Sequence, residues 1–207
     1  TANTTIDNLD LYADYIYLDT EERRRFAKSK HEYLIEQIQH QSFEFNTAGN
    51  YSFKLDFSHP VKELIWVFRD NNHGTVDDTP LLNLTTSAIN GNDWFNYQGS
   101  VENTVNYIVG NNNSRFDNFN TVNISFNNSA RFSEREASYF SEVQPYQHHS
   151  SIPSNYVYCY SFSLNPEEIQ PSGTCNFSRI DSKELNFKGC VVPSSGVTSS
   201  TLLVYAV

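Results

Sequence analysis

The residues of this 207-residue chain that could do chemistry are few. His148 and His149 are adjacent, and two imidazoles could hold zinc or iron if a carboxylate or thiolate completed the set. Neighbouring residues on a strand point to opposite faces, so such a pair rarely shares one ion. No spaced Asp, Glu or Cys completes the set. The other reading has both histidines, with Tyr146 and Gln147, hydrogen-bonding a loop onto the edge of a sheet. Glu134 and Glu136 could be the paired carboxylates of a glycoside hydrolase. They sit among Arg131 and Arg135, and ion pairing is the better reading. Arg23, Arg24 and Arg25 could grip phosphate. Glu21, Glu22 and Glu32 flank them, which points instead to helix salt bridges or an intersubunit contact. No G-x-S-x-G elbow and no phosphate-binding glycine loop is present. No catalytic residue, cofactor-binding residue or metal ligand is expected.

The cysteines, Cys159, Cys175 and Cys190, are odd in number and widely spaced. That is neither a disulfide framework nor a zinc site. Reduced, buried thiols are expected, which suits a reducing compartment. A net charge of −10 argues against direct nucleic-acid binding. No run approaches the ~20 apolar residues of a membrane span, and no signal peptide is visible. Aromatics make up 14% of the chain and charged residues only 18%. Such a chain, rich also in Asn, Ser and Thr, favours strands with polar turns over helix or disorder.

The elements that would position these residues are mostly strands. Period-2 or β-rich runs cover 11–18, 33–45, 51–57, 62–68, 121–126, 156–164, 174–187 and 201–207. Asp19 reads as an N-cap, with Glu21 and Glu22 in the first turn of a two-turn helix that ends near Lys30. A second short helix is expected within 132–143. Asn-, Asp- and Gly-rich stretches between 70 and 120 read as long loops, with Trp94 and Tyr97 among their aromatics. Eight average strands and their connections need only about 90 residues. The surplus falls at 70–120 and 127–155, where function commonly sits.

One run is more specific than the rest. Residues 161–181 read SFSLNPEEIQPSGTCNFSRID: a strand, a stop at Asn165-Pro166, a turn at Pro171-Ser172-Gly173 and a second strand. The string closely resembles the signature of the major capsid proteins of large icosahedral double-stranded DNA viruses, the iridovirus, phycodnavirus and mimivirus-like group. Three further strings resemble the same family in the same order. They are YIYLDTEERRRFA at 15–27 with HEYLIEQ at 31–37, HPVKELIW at 59–66, and RFSERE at 131–136 running on to QPYQHH at 144–149. The likeness departs at Lys28-Ser29-Lys30, where the family is usually less basic. The positions that carry it are Asp19, Glu22, Arg23, Arg24, Arg25, Phe26, His59, Pro60, Trp66, Arg131, Phe132, Tyr146, Gln147, Pro166, Gln170, Pro171, Ser172, Gly173, Asn176 and Arg179. Their expected role is structural. Gly173 is expected at φ > 0, and Gln170 is expected to satisfy backbone groups that the two prolines leave free.

The resemblance implies an all-β, antiparallel eight-stranded jelly-roll sandwich, the second half of a double jelly roll, with long loops and short helices. Residues 1–10 would be a linker from a missing N-terminal jelly roll. Residues 11–207 would be the C-terminal domain, with its last strand unpartnered and truncated. It further implies a late structural virion protein with no enzymatic activity and no cofactor. Three copies would form a pseudo-hexagonal capsomer that tiles an icosahedral capsid. Partners would be the chain itself, neighbouring capsomers, and minor capsid or penton proteins, with no nucleic-acid binding and no membrane insertion. Assembly would take place in the host cytoplasm or a virus factory. Two alternatives stand beside it. One is a glycan-binding jelly roll using Trp94 and Tyr97, and the other a cupin-like metalloenzyme. Sequons at Asn3, Asn50, Asn83, Asn112, Asn123, Asn127 and Asn176 are expected to be mostly unused.

Overall fold

The computed structural model describes residues 9–70, 97, 117–153, 156–191 and 199–207. The chain divides into two units, Thr1–Ile35 and Glu36–Val207.

The first unit carries helix α1 (Thr20–Lys28). Asp19 caps it as the sequence predicts, its carboxylate accepting from Glu22 N at 2.8 Å. Arg24 pairs with Glu21 at 2.7 Å, one turn away. Phe26, half exposed, stacks on His31 with ring centroids 5.3 Å apart, and His31 Nε2 meets Phe26 O at 2.7 Å. The strand expected at 11–18 does not form, because the segment pairs with no other described strand. Leu11, Tyr12, Ile16 and Tyr17 are each more than 85% exposed.

The second unit is a two-layer sandwich. One sheet holds β1 (Gln39–Phe45), β11 (Ser200–Ala206), β4 (Glu63–Asp70) and β8 (Tyr158–Ser161), in that spatial order. The other holds β2 (Gly49–Lys54), β10 (Lys183–Cys190), β5 (Thr121–Phe126) and β6 (Ser129–Ala130), with β7 (Arg135–Glu136) also on β5. All of these pairs are antiparallel. A two-residue ribbon joins β3 (Pro60–Val61) to β9 (Cys175–Asn176).

Among the described residues, β6 and β7 are pieces of one interrupted strand, and the β3–β9 ribbon stands apart from both sheets. What remains is eight strands in chain order. The first, eighth, third and sixth form one sheet; the second, seventh, fourth and fifth form the other. That interleaving is a jelly roll, two Greek keys folded into a sandwich.

Several expectations need correction. The strand read at 33–45 starts only at Gln39. The run 174–187 is broken by a 3-10 turn (Phe177–Arg179), because Asn176 caps that turn, its Oδ1 accepting from Ser178 N at 3.1 Å. The last strand is not unpartnered: β11 pairs along its length with β1 and β4 and so is central in its sheet. Leu202, Val204 and Ala206 are buried toward the core and alternate with half-buried Leu203 and Tyr205.

The core follows the pleat. Leu64, Trp66 and Phe68 of β4 face Val122 and Ile124 of β5 and Leu185 and Phe187 of β10, all buried. Trp66 lies 5.3 Å from Phe140 and 6.2 Å from Tyr158, centroid to centroid. Phe140 belongs to a π turn (Tyr139–Val143) that continues into α2 (Gln144–His148), so the short helix expected within 132–143 is present in its later part and runs on to His148. Side chains close the sandwich edge where strands do not pair. Gln41 and Gln39 of β1 accept from the backbone N of Asp56 and Ser58, both at 2.9 Å. No helix among the described residues is long and apolar enough to cross a membrane.

Candidate functional site

The 59–66 string enters β4 with two charged residues in an otherwise apolar run. Lys62 and Glu63 are both buried. A buried charge needs partners, and those partners come from the other strings. Lys62 Nζ pairs with Glu36, from 31–37, and donates to Glu168 O at 3.1 Å. Glu63 Oε2 lies 2.9 Å from His149 Nε2. On the opposite side of the same ring, Nδ1 lies 3.2 Å from Glu167 Oε1. Glu167 also accepts from Ser150 N at 3.0 Å. Glu36, Lys62, Glu63, His149 and Glu167 thus form one alternating junction, drawn from all four strings.

Local structure explains each position. His149 is the C-cap of α2, its N–H bonded to Pro145 O at 2.9 Å, where a cation is favoured by the helix dipole. The two histidines therefore leave a helix end and not a strand. His148 Nδ1 meets Leu164 O at 3.0 Å. Both histidines do tie the 164–168 segment to the sandwich. Tyr146 and Gln147 are exposed and take no part.

Glu167 and Glu168 are carried by the turn between β8 and β9. Ser172 holds that turn: its Oγ accepts from Asn165 N at 2.8 Å and lies 2.6 Å from Ser163 Oγ. The role expected of Gln170 thus falls to Ser172, since Gln170 is exposed. Pro166 is buried beneath the turn. Gly173 has φ +147°, and a Cβ there would lie 2.9 Å from Phe162 O. The expected positive φ is present, together with a close backbone approach.

Several of the remaining signature positions make packing or hydrogen-bond contacts. His59 has φ +70°, its N–H donating to Ser178 Oγ at 2.7 Å, and Pro60 pairs with Asn176 in the ribbon. Arg131 lies over the rings of Phe162 and Tyr160, 5.3 and 6.0 Å from their centroids, and donates to Tyr160 Oη at 3.1 Å. Phe132 packs 5.0 Å from Tyr160. Glu134 pairs with Lys188 at 2.5 Å, not with Arg131 or Arg135; Arg135 lies over Tyr139. The expected ion pairs are replaced because both guanidiniums stack on rings. Arg179, Arg23 and Arg25 are exposed. Trp94, proposed for glycan stacking, and the sequons at Asn3, Asn83 and Asn112 lie outside the described residues.

The electrostatics are those of a structural junction. Burial pushes the Glu63 carboxyl up, and His149 and Lys62 pull against it. The Ser150 N–H holds Glu167 below its ordinary value, with His149 adding to it. Burial raises Cys159 to about 12, and the charge of Glu63 adds to this. His149 has a carboxylate on each ring nitrogen, so neither nitrogen is free to take a proton from a nucleophile. Among the described residues no three His, Cys, Asp or Glu are arranged to hold a metal ion.

The sequence reading missed Glu36, Lys62, Glu63 and Glu167 as individuals. The available signal was Lys62-Glu63 opening an apolar strand. Charges there cost too much unless something answers them.

Comparison with known proteins gives this geometry its context. Residues 22–198 match the family model described as large eukaryotic DNA virus major capsid protein. The chain is 36% identical to the major capsid protein of Pyramimonas orientalis virus, covering 100% of this chain and 46% of that protein. It is 37% identical to the major capsid protein of Paramecium bursaria Chlorella virus 1, covering 90% of this chain and 44% of that protein. The chain therefore spans about half the length of these relatives. Among solved structures it is similar to a chain of the quasi-atomic model of the PBCV-1 virus capsid. The TM-score is 0.69 at 31% identity, over 93% of this chain and 51% of that one. The glycan-binding alternative finds no support in these likenesses. A jelly roll whose four signature strings converge on one charged junction, matched from residue 22 to residue 198, belongs to the large eukaryotic DNA virus major capsid protein family.

Proposed function

We propose that this chain is the second jelly roll of a double jelly-roll capsid protein. Three copies of the whole polypeptide would associate into a pseudo-hexagonal capsomer, and capsomers would tile an icosahedral shell. The observation that carries this reading is the interleaved strand order within a chain about half as long as its capsid-protein relatives. A rigid sandwich supplies a wedge, and rotational symmetry closes the ring. The exposed apolar side chains of Leu11, Tyr12, Ile16 and Tyr17 support association, since leaving such a run in water is unfavourable. The role is structural and not catalytic, and it needs no cofactor. Neighbouring capsomers and minor capsid or penton proteins are the partners, and assembly occurs in the host cytoplasm or a virus factory. With a net charge of −10, this segment does not bind nucleic acid directly.

Sedimentation of the whole polypeptide and of this chain, both at micromolar concentration, tests the reading. The whole polypeptide is expected to be a trimer. This chain alone is expected to associate poorly, because half the interfaces cannot offset an association cost of about 4–15 kcal/mol. A monomeric whole polypeptide would overturn the capsomer reading. A stable trimer of this chain would show that this half carries assembly by itself.

A further inference from the structure

The His149 contacts pose a proton-counting problem. Both ring nitrogens face carboxylate oxygens, Nε2 toward Glu63 at 2.9 Å and Nδ1 toward Glu167 at 3.2 Å. Carboxylates only accept, and a neutral imidazole donates from one nitrogen alone. Each contact needs a proton of its own. The junction therefore holds two protons: an imidazolium between two carboxylates, or a neutral ring with one carboxyl protonated. Removing one proton sets a nitrogen lone pair against an oxygen lone pair.

We infer that His149 is a proton-dependent latch, holding the Glu167 turn against the sandwich while both contacts carry a proton and releasing it when one is lost. The geometry says which contact yields. The Glu63 side chain is 8% exposed and anchored in β4, whereas the Glu167 side chain is 49% exposed, so water can replace His149 there. Release frees Glu167, and with it the acceptor of the Ser150 N–H, 3.0 Å away. It stays local. Lys62 still donates to Glu168 O, and Ser172 still ties Asn165.

The surroundings leave the titration to these three groups. Lys62, between β3 and β4, is a fixed cation beside Glu63, and Glu36 answers it. Cys159 of β8 faces Glu63 as a thiol, burial having raised it to about 12. His148, next along the chain, is bonded to Leu164 O. The latch is internal to one chain and operates whether or not copies assemble.

Hydrogen exchange of the Ser150 amide reads the latch, as a protection factor corrected for intrinsic exchange. In the parent protein it is expected to be about tenfold lower at the alkaline end than at the acid end of the pH range over which the protein stays folded. In His149→Gln both amide protons sit on one nitrogen, which cannot span Glu63 and Glu167 as the two ring nitrogens do, so protection is expected to be low and flat with pH. Glu63→Gln is the discriminating variant. Its amide can donate to Nε2 of a neutral ring, whose one proton then stays on Nδ1 facing Glu167 Oε1, the same oxygen that accepts from Ser150 N, so protection is expected to stay high at alkaline pH. Parent protection that is flat with pH would overturn the latch. So would a Glu63→Gln profile that falls as the parent does, or a His149→Gln profile that superimposes on it.

Discussion

His149 Nε2 lies 2.9 Å from Oε2 of Glu63, and these two residues are 86 positions apart in the chain. One caps a short helix; the other opens a core strand. The contact gives a buried carboxylate its counter-charge, and it fixes where the helix end meets the sheet. Without it, Glu63 would be a strand residue carrying a charge into a closed interior.

His149→Ala is expected to destabilise the protein by roughly 3 kcal/mol near neutral pH, the usual cost of stranding one member of a buried pair. The pH dependence has a definite sign. Glu63 is raised in the folded state, so its protonated form is the one folding favours. Its contribution is fully present below the unfolded carboxylate value and is lost as pH rises through the folded value. His149 offsets that loss while its ring is charged, so removing it costs more near neutral pH than in acid, where Glu63 is protonated. Urea melts of parent and variant at about pH 4 and about pH 7 check this. An equal penalty at both would mean that Glu63 finds another partner.

Gly173→Val is expected to cost roughly 1–3 kcal/mol. The position needs φ +147°, and a Cβ would press on Phe162 O. Gly173→Ala is expected to lose less, because it meets the same contact without β-branching. Thermal melts of both variants decide. A parent-like melting temperature for the valine variant would show that the turn can rearrange.

Trp66→Ala is expected to cost roughly 3–5 kcal/mol, as large-to-small changes at fully buried aromatic sites do. The ring is fully buried against Phe140, Tyr158 and Phe187. Equilibrium denaturation with an unchanged m-value and a lower midpoint is the expected signature.

Cys159 and Cys190 are expected to resist thiol reagents in the folded protein. Burial raises both to about 12, which leaves almost no thiolate at neutral pH. Labelling with a maleimide under native conditions and after denaturation, read by mass spectrometry, checks this. Rapid native labelling at either position would contradict the buried assignment.

Much of the fold was legible in the sequence because it is written locally. The 121–126 and 201–207 strands show as β-rich apolar runs, and the helix start at Asp19 shows in one cap and two acids. Gly173 after Pro171-Ser172 announces a turn that needs a positive φ. Each of these depends on neighbours within a few positions, where propensity and sterics act. Resemblance in four ordered strings supplied the family.

The sequence could not show what depends on who packs beside whom. The 11–18 run looks like a strand, but a strand exists only where a partner edge accepts its hydrogen bonds, and none of the described strands does so. The 201–207 run looked unpartnered, yet β11 lies between β1 and β4 because Greek-key winding returns the chain to its own start. The charge junction is the clearest case. Glu36, Lys62, Glu63, His149 and Glu167 look unremarkable along the chain. They become a site only because the jelly roll brings segments up to 131 residues apart, Glu36 and Glu167, around the buried Lys62 and Glu63, where an unpaired charge is costly and a paired one fixes the geometry.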